Sequence, residues 1–91
     1  RRVFSPLFSW TFSKNEGELR IAAVLSKKTA KTAVARNLIR RRFYSIIELY
    51  QKNITQNGLM VFYPKKGSIN VDFAALKDEV ETTLRKAKLI I

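Results

Sequence analysis

Residues 27–42 hold seven cationic side chains, Lys27, Lys28, Lys31, Arg36, Arg40, Arg41 and Arg42, and no carboxylate. Such a run can hold phosphate. An arginine fork matches two phosphate oxygens at once, while a lysine supplies a mobile point charge. Asn37, set among the arginines, could donate to a phosphate or a 2′-hydroxyl, or read a base edge. Neutral helix surfaces interleave acids with bases at i,i+4. Here no acid follows until Glu48, so the charges repel one another unless a polyanion relieves them. The whole chain shares the bias, with 18 lysines and arginines against 7 acids and a formal charge of +11. The bland alternative is a solvated face that keeps the protein soluble, but solubility does not call for such one-sided clustering. Nucleic acid is the first candidate partner and anionic lipid a distant second.

The other residue types exclude much. With no cysteine and no histidine, disulfide frameworks, Cys/His zinc sites and histidine-activated nucleophiles are all ruled out. A metal-dependent nuclease needs convergent carboxylates. Glu16 and Glu18 read as turn residues, Glu48 stands alone, and Asp78, Glu79 and Glu81 precede Arg85, Lys86 and Lys88 in the order that suits a helix dipole. Lys65-Lys66-Gly67 does not fit a phosphate-binding loop of the G-x-x-x-x-G-K-[ST] type; it is either a solvated turn or a peripheral phosphate contact. The chain is therefore expected to be non-catalytic by itself, with no protein-held metal and no small-molecule substrate. Its longest apolar runs, such as Ile21 to Leu25, reach about five residues, where a membrane span needs about 20. No secretory signal opens the chain, and a cytoplasmic location is expected. It begins at Arg1 without methionine, so the natural N-terminus is expected to lie upstream.

Ninety-one residues suffice for one domain. Residues 3–13 alternate, with Phe4, Phe8, Trp10 and Phe12 on one face and serines and a threonine on the other, which predicts a strand with Pro6 at its edge or start. Residues 14–17 read as a hairpin-like connection to a second strand over 19–26. Thr32 can cap a helix whose apolar stripe is Ala35, Ile39, Phe43, Ile46 and Tyr50. A third strand covers 59–63, a basic loop 64–67. Asp72 is positioned to cap a last helix along Phe73, Leu76, Val80, Leu84 and Ala87. The result is an α+β sandwich, one small sheet against helices. The strand–helix–strand unit is long enough for a parallel crossover.

Ser26-Lys27-Lys28, Ala33-Val34-Ala35-Arg36-Asn37 and Ile39-Arg40-Arg41 together resemble the signature helix of the bacterial ribonuclease P protein component. The element order and the closing Asp72-Phe73-Ala74-Ala75-Leu76 helix start resemble it too. Leu38 departs from the pattern, which usually carries a second arginine there. The helix that opens the family's fold ahead of the first strand has no counterpart in these residues. The resemblance implies a single RNA-binding domain over 1–91, with a mixed sheet in a ribosomal-protein-like sandwich and a left-handed βαβ crossover. It implies a protein monomeric when free, joined to a catalytic RNA that uses magnesium to cut precursor tRNA at the mature 5′ end. Lys27, Lys28, Lys31, Arg36, Asn37, Arg40, Arg41 and Arg42 would then contact the RNA subunit. Phe8, Trp10 and Phe12, with Arg20 and Ser26, would line a cleft for the single-stranded 5′ leader, Trp10 being the favoured wet aromatic and core the competing role for the others. Two rival readings stay open. One is a structural ribonucleoprotein component of related fold. The other is a basic amphipathic helix that docks on anionic membranes or on an acidic protein.

Overall fold

Alternating apolar residues make the sheet, and two amphipathic helices cover one face of it. The computed structural model describes residues 1–90. Its strands are β1 (Arg2–Phe4), β2 (Phe8–Lys14), β3 (Arg20–Ala23) and β4 (Gly58–Pro64). Helix α1 (Ala33–Tyr50) joins β3 to β4; α2 (Gly67–Asn70) and α3 (Phe73–Lys86) follow. The sheet order is β1-β2-β4-β3, with β3 parallel to β4 and the other pairs antiparallel. The expected α+β class and the parallel crossover through α1 are thus present. No helix among the described residues is long and apolar enough to cross a membrane.

Two local expectations fail. Residues 3–13 are not one strand but a hairpin. Pro6 sits in its turn, where the Ser5 amide donates to the Phe8 carbonyl at 2.8 Å and the Leu7 amide to Ser5 Oγ at 3.2 Å. The reversal places Phe4 opposite Ser9, so Phe4 joins the serine face and is 68% exposed. Residues 14–17 do not form a hairpin either, because β4 lies between β2 and β3. The chain leaves β2 across the start of β4, with the Asn15 amide on the Asn57 carbonyl at 3.0 Å. That crossing demands Gly58: a Cβ there would lie 2.4 Å from the Ser13 carbonyl oxygen and 2.7 Å from the Phe12 ring.

Helix α1 forms as its pattern predicts. Thr32 Oγ1 accepts the Ala35 amide at 3.1 Å, which satisfies one free donor of the first turn. Ile39, Phe43, Ile46, Ile47 and Tyr50 are buried. The Phe43 ring meets Phe8 edge-on at 5.5 Å and Phe62 at 5.0 Å between centroids, so α1 lies on the face that carries Phe8, Trp10 and Phe12. Helix α3 lies on the same face. Its Leu76, Val80 and Leu84 are buried, and Trp10 Nε1 donates to Thr83 Oγ1 at 3.0 Å. Tyr50 ties the two helices by donating to Glu81 Oε1 at 2.9 Å. Burial, then that bond, raises its phenol above the usual value.

The ends of α3 depart from expectation. Asp72 has the extended backbone of an N-cap, but its side chain makes no capping bond. Phe73 is partly exposed rather than part of the buried stripe. The short α2 begins at the last residue of the basic loop expected over 64–67 and runs on through residues for which no element was expected. At the C-terminus the Leu89 amide donates to the Leu84 carbonyl and the Lys88 amide to Arg85, each at 3.0 Å. This is a Schellman closure, and its left-handed residue is Lys88, at φ 61. Glycine takes that backbone without Cβ strain. Lys88→Gly is accordingly expected to stabilise the fold by about 0.5–1 kcal/mol, visible as a melting point raised by roughly 3–6 °C. A lowered melting point would contradict the assignment of strain to this residue.

Candidate nucleic-acid interface

Strand β3 delivers the chain to one end of the sheet. The Val24 amide still holds the Phe62 carbonyl at 2.9 Å, and then the basic loop begins. Its turn closes where the Thr29 and Ala30 amides reach the Ser26 carbonyl at 3.1 and 3.2 Å. Ala30 is buried as the anchor, and Lys27, Lys28 and Lys31 are exposed around it. Helix α1 then runs back along β3, with Arg40 level with Ala23. Val34 and Leu38, one turn apart, fall outside its Ala35, Ile39 and Phe43 stripe and are 80% and 53% exposed.

The arginines do different jobs. Arg36 donates through Nη1 to the Ala30 carbonyl at 2.9 Å and so clamps the basic loop to the helix. Arg40 donates through Nε to the Ala23 carbonyl of the edge strand at 3.2 Å and through Nη1 to Asn37 Oδ1 at 3.1 Å. Asn37 and Arg41, one turn apart, are exposed. Among the described residues none of these groups pairs with a carboxylate; the ion pair there is that of Arg85 with Glu81, at 3.7 Å on α3. A guanidinium has five N–H donors, and each bond to a neutral carbonyl leaves its charge uncancelled. Lys27, Lys28, Lys31, Arg36, Asn37, Arg40 and Arg41 therefore gather at one end as a cationic ridge with free donors. The helix N-terminus adds its own positive potential there.

Arg42 does not belong to that ridge. Two residues on from Arg40, it points about 200° around the helix. Its Nη1 donates to the Val71 carbonyl at 2.9 Å, with Ser68 at 3.5 Å. It braces α2 and the segment beyond it.

The aromatic cleft also needs correction. Trp10 and Phe8 are 0% exposed and Phe12 is 5%. They form the core beneath α1 and α3, and Trp10 already spends its single donor on Thr83. None of the three can stack on a base in this fold. Ser26 is not on a strand, since β3 ends at Ala23; its hydroxyl lies 3.4 Å from Thr29 Oγ1 in the basic loop. Arg20 is exposed and pairs with Leu59 in register, on the face of the sheet that no described helix covers.

That open face carries aromatics which the alternation argument put elsewhere or passed over. Phe4 is opposite Ser9, and Ser9 is opposite Tyr63. Between the two rings sits Arg2, its guanidinium carbon 5.6 Å from the Phe4 centroid and 5.8 Å from that of Tyr63. Such a stack joins cation–π attraction to flat π surface. The signal that could have found it is Pro6, read as a turn rather than as an edge.

A family model described as Ribonuclease P matches residues 1–88. The ribonuclease P protein component of Idiomarina loihiensis is 37% identical over 70 residues, 77% of this chain and 55% of that protein. The Rickettsia bellii protein of the same description is 32% identical over 74 residues, 80% of this chain and 62% of its own length. The chain thus spans less than two thirds of either relative. Among solved structures, the Staphylococcus aureus RNase P protein superimposes with a TM-score of 0.85 at 19% identity, over 100% of this chain and 84% of that one. The Thermotoga maritima RNase P protein does so at 0.83 and 21%, over 94% and 82%. At these identities the solved structures establish the fold, a four-stranded mixed sheet with helices packed on it.

Proposed function

The chain belongs to the ribonuclease P protein family, and from that premise we propose that it is the protein subunit of a bacterial ribonuclease P, which matures the 5′ end of tRNA. In this reading the RNA subunit carries the hydrolysis and holds the magnesium that assists it. The protein binds and positions. Among the described residues no three acidic side chains converge as a metal cage would require. The observation that supports the reading best is the cationic ridge. Lys27, Lys28, Lys31, Arg36, Asn37, Arg40 and Arg41 meet at one end of the fold without a carboxylate among them. Such a ridge fits the closely spaced phosphates of a folded RNA.

The leader of precursor tRNA takes the open sheet face. Phe4 and Tyr63 offer stacking surface, and Arg2 and Arg20 offer charge to the backbone. Base–aromatic stacking contributes roughly 1–3 kcal/mol per base. The partners are therefore the catalytic RNA and precursor tRNA, with the free protein a monomer.

This division of labour has a direct test. In the presence of a bacterial ribonuclease P RNA, Phe4→Ala with Tyr63→Ala is expected to lower affinity for leader-bearing precursor tRNA about tenfold, the effect of losing ~1.4 kcal/mol. Affinity for mature tRNA should not change. Equal losses on both substrates, or none on either, would remove the leader from this face.

A further inference from the structure

A second set of cations gathers at the far end of the molecule. The basic loop leaves β3 at the level of Phe62, near the Pro64 end of β4. Strand β2 ends at Lys14, which pairs with Gly58 at the other end of β4. Lys14 alternates with Phe12 and Trp10, so it lies on the helix side of the sheet. Helix α3 runs down that side and ends there. Arg1 pairs with Phe12, the Phe12 amide on the Arg1 carbonyl at 2.9 Å, and its guanidinium donates to the Ala87 carbonyl at the end of α3. Lys86 and Lys88 flank that carbonyl in sequence, and both are exposed, as is Lys14. Among the described residues no carboxylate pairs with Arg1, Lys14, Lys86 or Lys88; the Arg85–Glu81 pair lies on α3 above them.

Helix-dipole compensation explains only part of this. One cation at a C-terminus serves that purpose, and Arg1 already reaches a terminal carbonyl. Lys14 is on a strand. Lys88 holds a left-handed backbone, φ 61, where glycine is the ordinary residue, so a charge sits at this pole at a conformational cost. The neighbouring apolar residues Leu89 and Ile90 are buried. Among the described residues, these two therefore do not supply the local apolar anchor that an interfacial membrane site uses.

We propose that Arg1, Lys14, Lys86 and Lys88 form a second RNA-backbone contact, at the pole opposite the arginine ridge, so that one chain engages RNA at both ends. The proposal rests on the RNA-binding reading and adds a surface to it. The target is phosphate backbone rather than base sequence, because the three lysines offer point charges and Arg1 already spends part of its fork on the Ala87 carbonyl.

The test uses the full chain and a fluorescent RNA duplex of about 20 base pairs, titrated across a salt series. The variant carries Lys14→Gln, Lys86→Gln and Lys88→Gly, and Arg41→Gln is measured beside it. Affinity of the pole variant is expected to fall about tenfold at moderate salt, and the slope of log affinity against log salt to flatten by about 2. Lys88→Gly alone should weaken binding while raising the melting temperature, and Lys88→Arg should keep the affinity; together these separate charge from folding. If the pole variant binds like the parent while Arg41→Gln weakens, this inference is overturned and the ridge stands. If both bind like the parent, the RNA-binding reading falls with it. A loss seen only on vesicles of phosphatidylglycerol, and not on RNA, also overturns it in favour of a membrane contact.

Discussion

Replacing Lys27, Lys28 and Arg41 together by alanine is expected to weaken binding to ribonuclease P RNA about 100-fold, from ~1 kcal/mol per lost charge-assisted contact. The slope of log affinity against log salt should flatten by about 2, since each phosphate contact contributes roughly 0.7–0.9. These three are the informative positions. Their side chains are exposed and, among the described residues, make no bond, so their loss should leave the melting curve unchanged. Arg36 and Arg40 are less clean. Arg36 holds the basic loop through Ala30, and Arg40 covers the Ala23 carbonyl of the edge strand. Alanine at either position combines a lost phosphate contact with a loosened loop or a bare carbonyl. Titration of labelled RNA across salt, with thermal melts in parallel, separates the two effects. An unchanged slope in the triple variant would mean that the ridge is not where RNA binds.

Trp10→Ala is expected to cost about 3–5 kcal/mol of stability, the usual range for emptying a buried aromatic site. The total stability of a domain this size is about 5–15 kcal/mol, so urea should unfold the variant at a much lower midpoint. The indole is fully buried between the helices and bonded to Thr83. Thr83→Val removes the hydroxyl that accepts from the indole and donates to the Val80 carbonyl at 2.8 Å. It leaves the buried N–H unsatisfied, about 1–3 kcal/mol, but opens no large cavity, so it should cost less. The same geometry predicts an optical result. Trp10 is the chain's one tryptophan, and its emission should resist quenching by acrylamide and ignore a single-stranded oligonucleotide. Quenching by the oligonucleotide would place Trp10 in a wet cleft and contradict the packing described above.

The signature helix could be read from the chain because its determinants are local. Thr32 caps three residues ahead, Ile39, Phe43, Ile46 and Tyr50 recur at helical spacing, and the cations fall outside that stripe. The aromatic face was misread for an equally definite reason. In the β1–β2 hairpin, Phe4 pairs with Ser9, so paired positions differ in parity. A turn at Pro6 therefore moves Phe4 to the opposite face from Phe8, although both fit one unbroken alternation. The connection after Lys14 carries turn residues, yet β4, more than forty residues later, takes the edge of β2. Long-range pairing of that kind has no local signal. Arg42 illustrates a third limit. A helical wheel gives its direction but not the presence of α2, a four-residue turn without periodicity, whose carbonyls it meets.

Cleavage of precursor tRNA at low magnesium by a bacterial ribonuclease P RNA, with and without the chain, tests the central claim most directly. The expected result is faster cleavage at the mature 5′ end when the chain is added, with that gain largely lost in the Lys27, Lys28 and Arg41 triple-alanine variant. A folded chain that leaves the rate of the RNA unchanged would contradict the assignment.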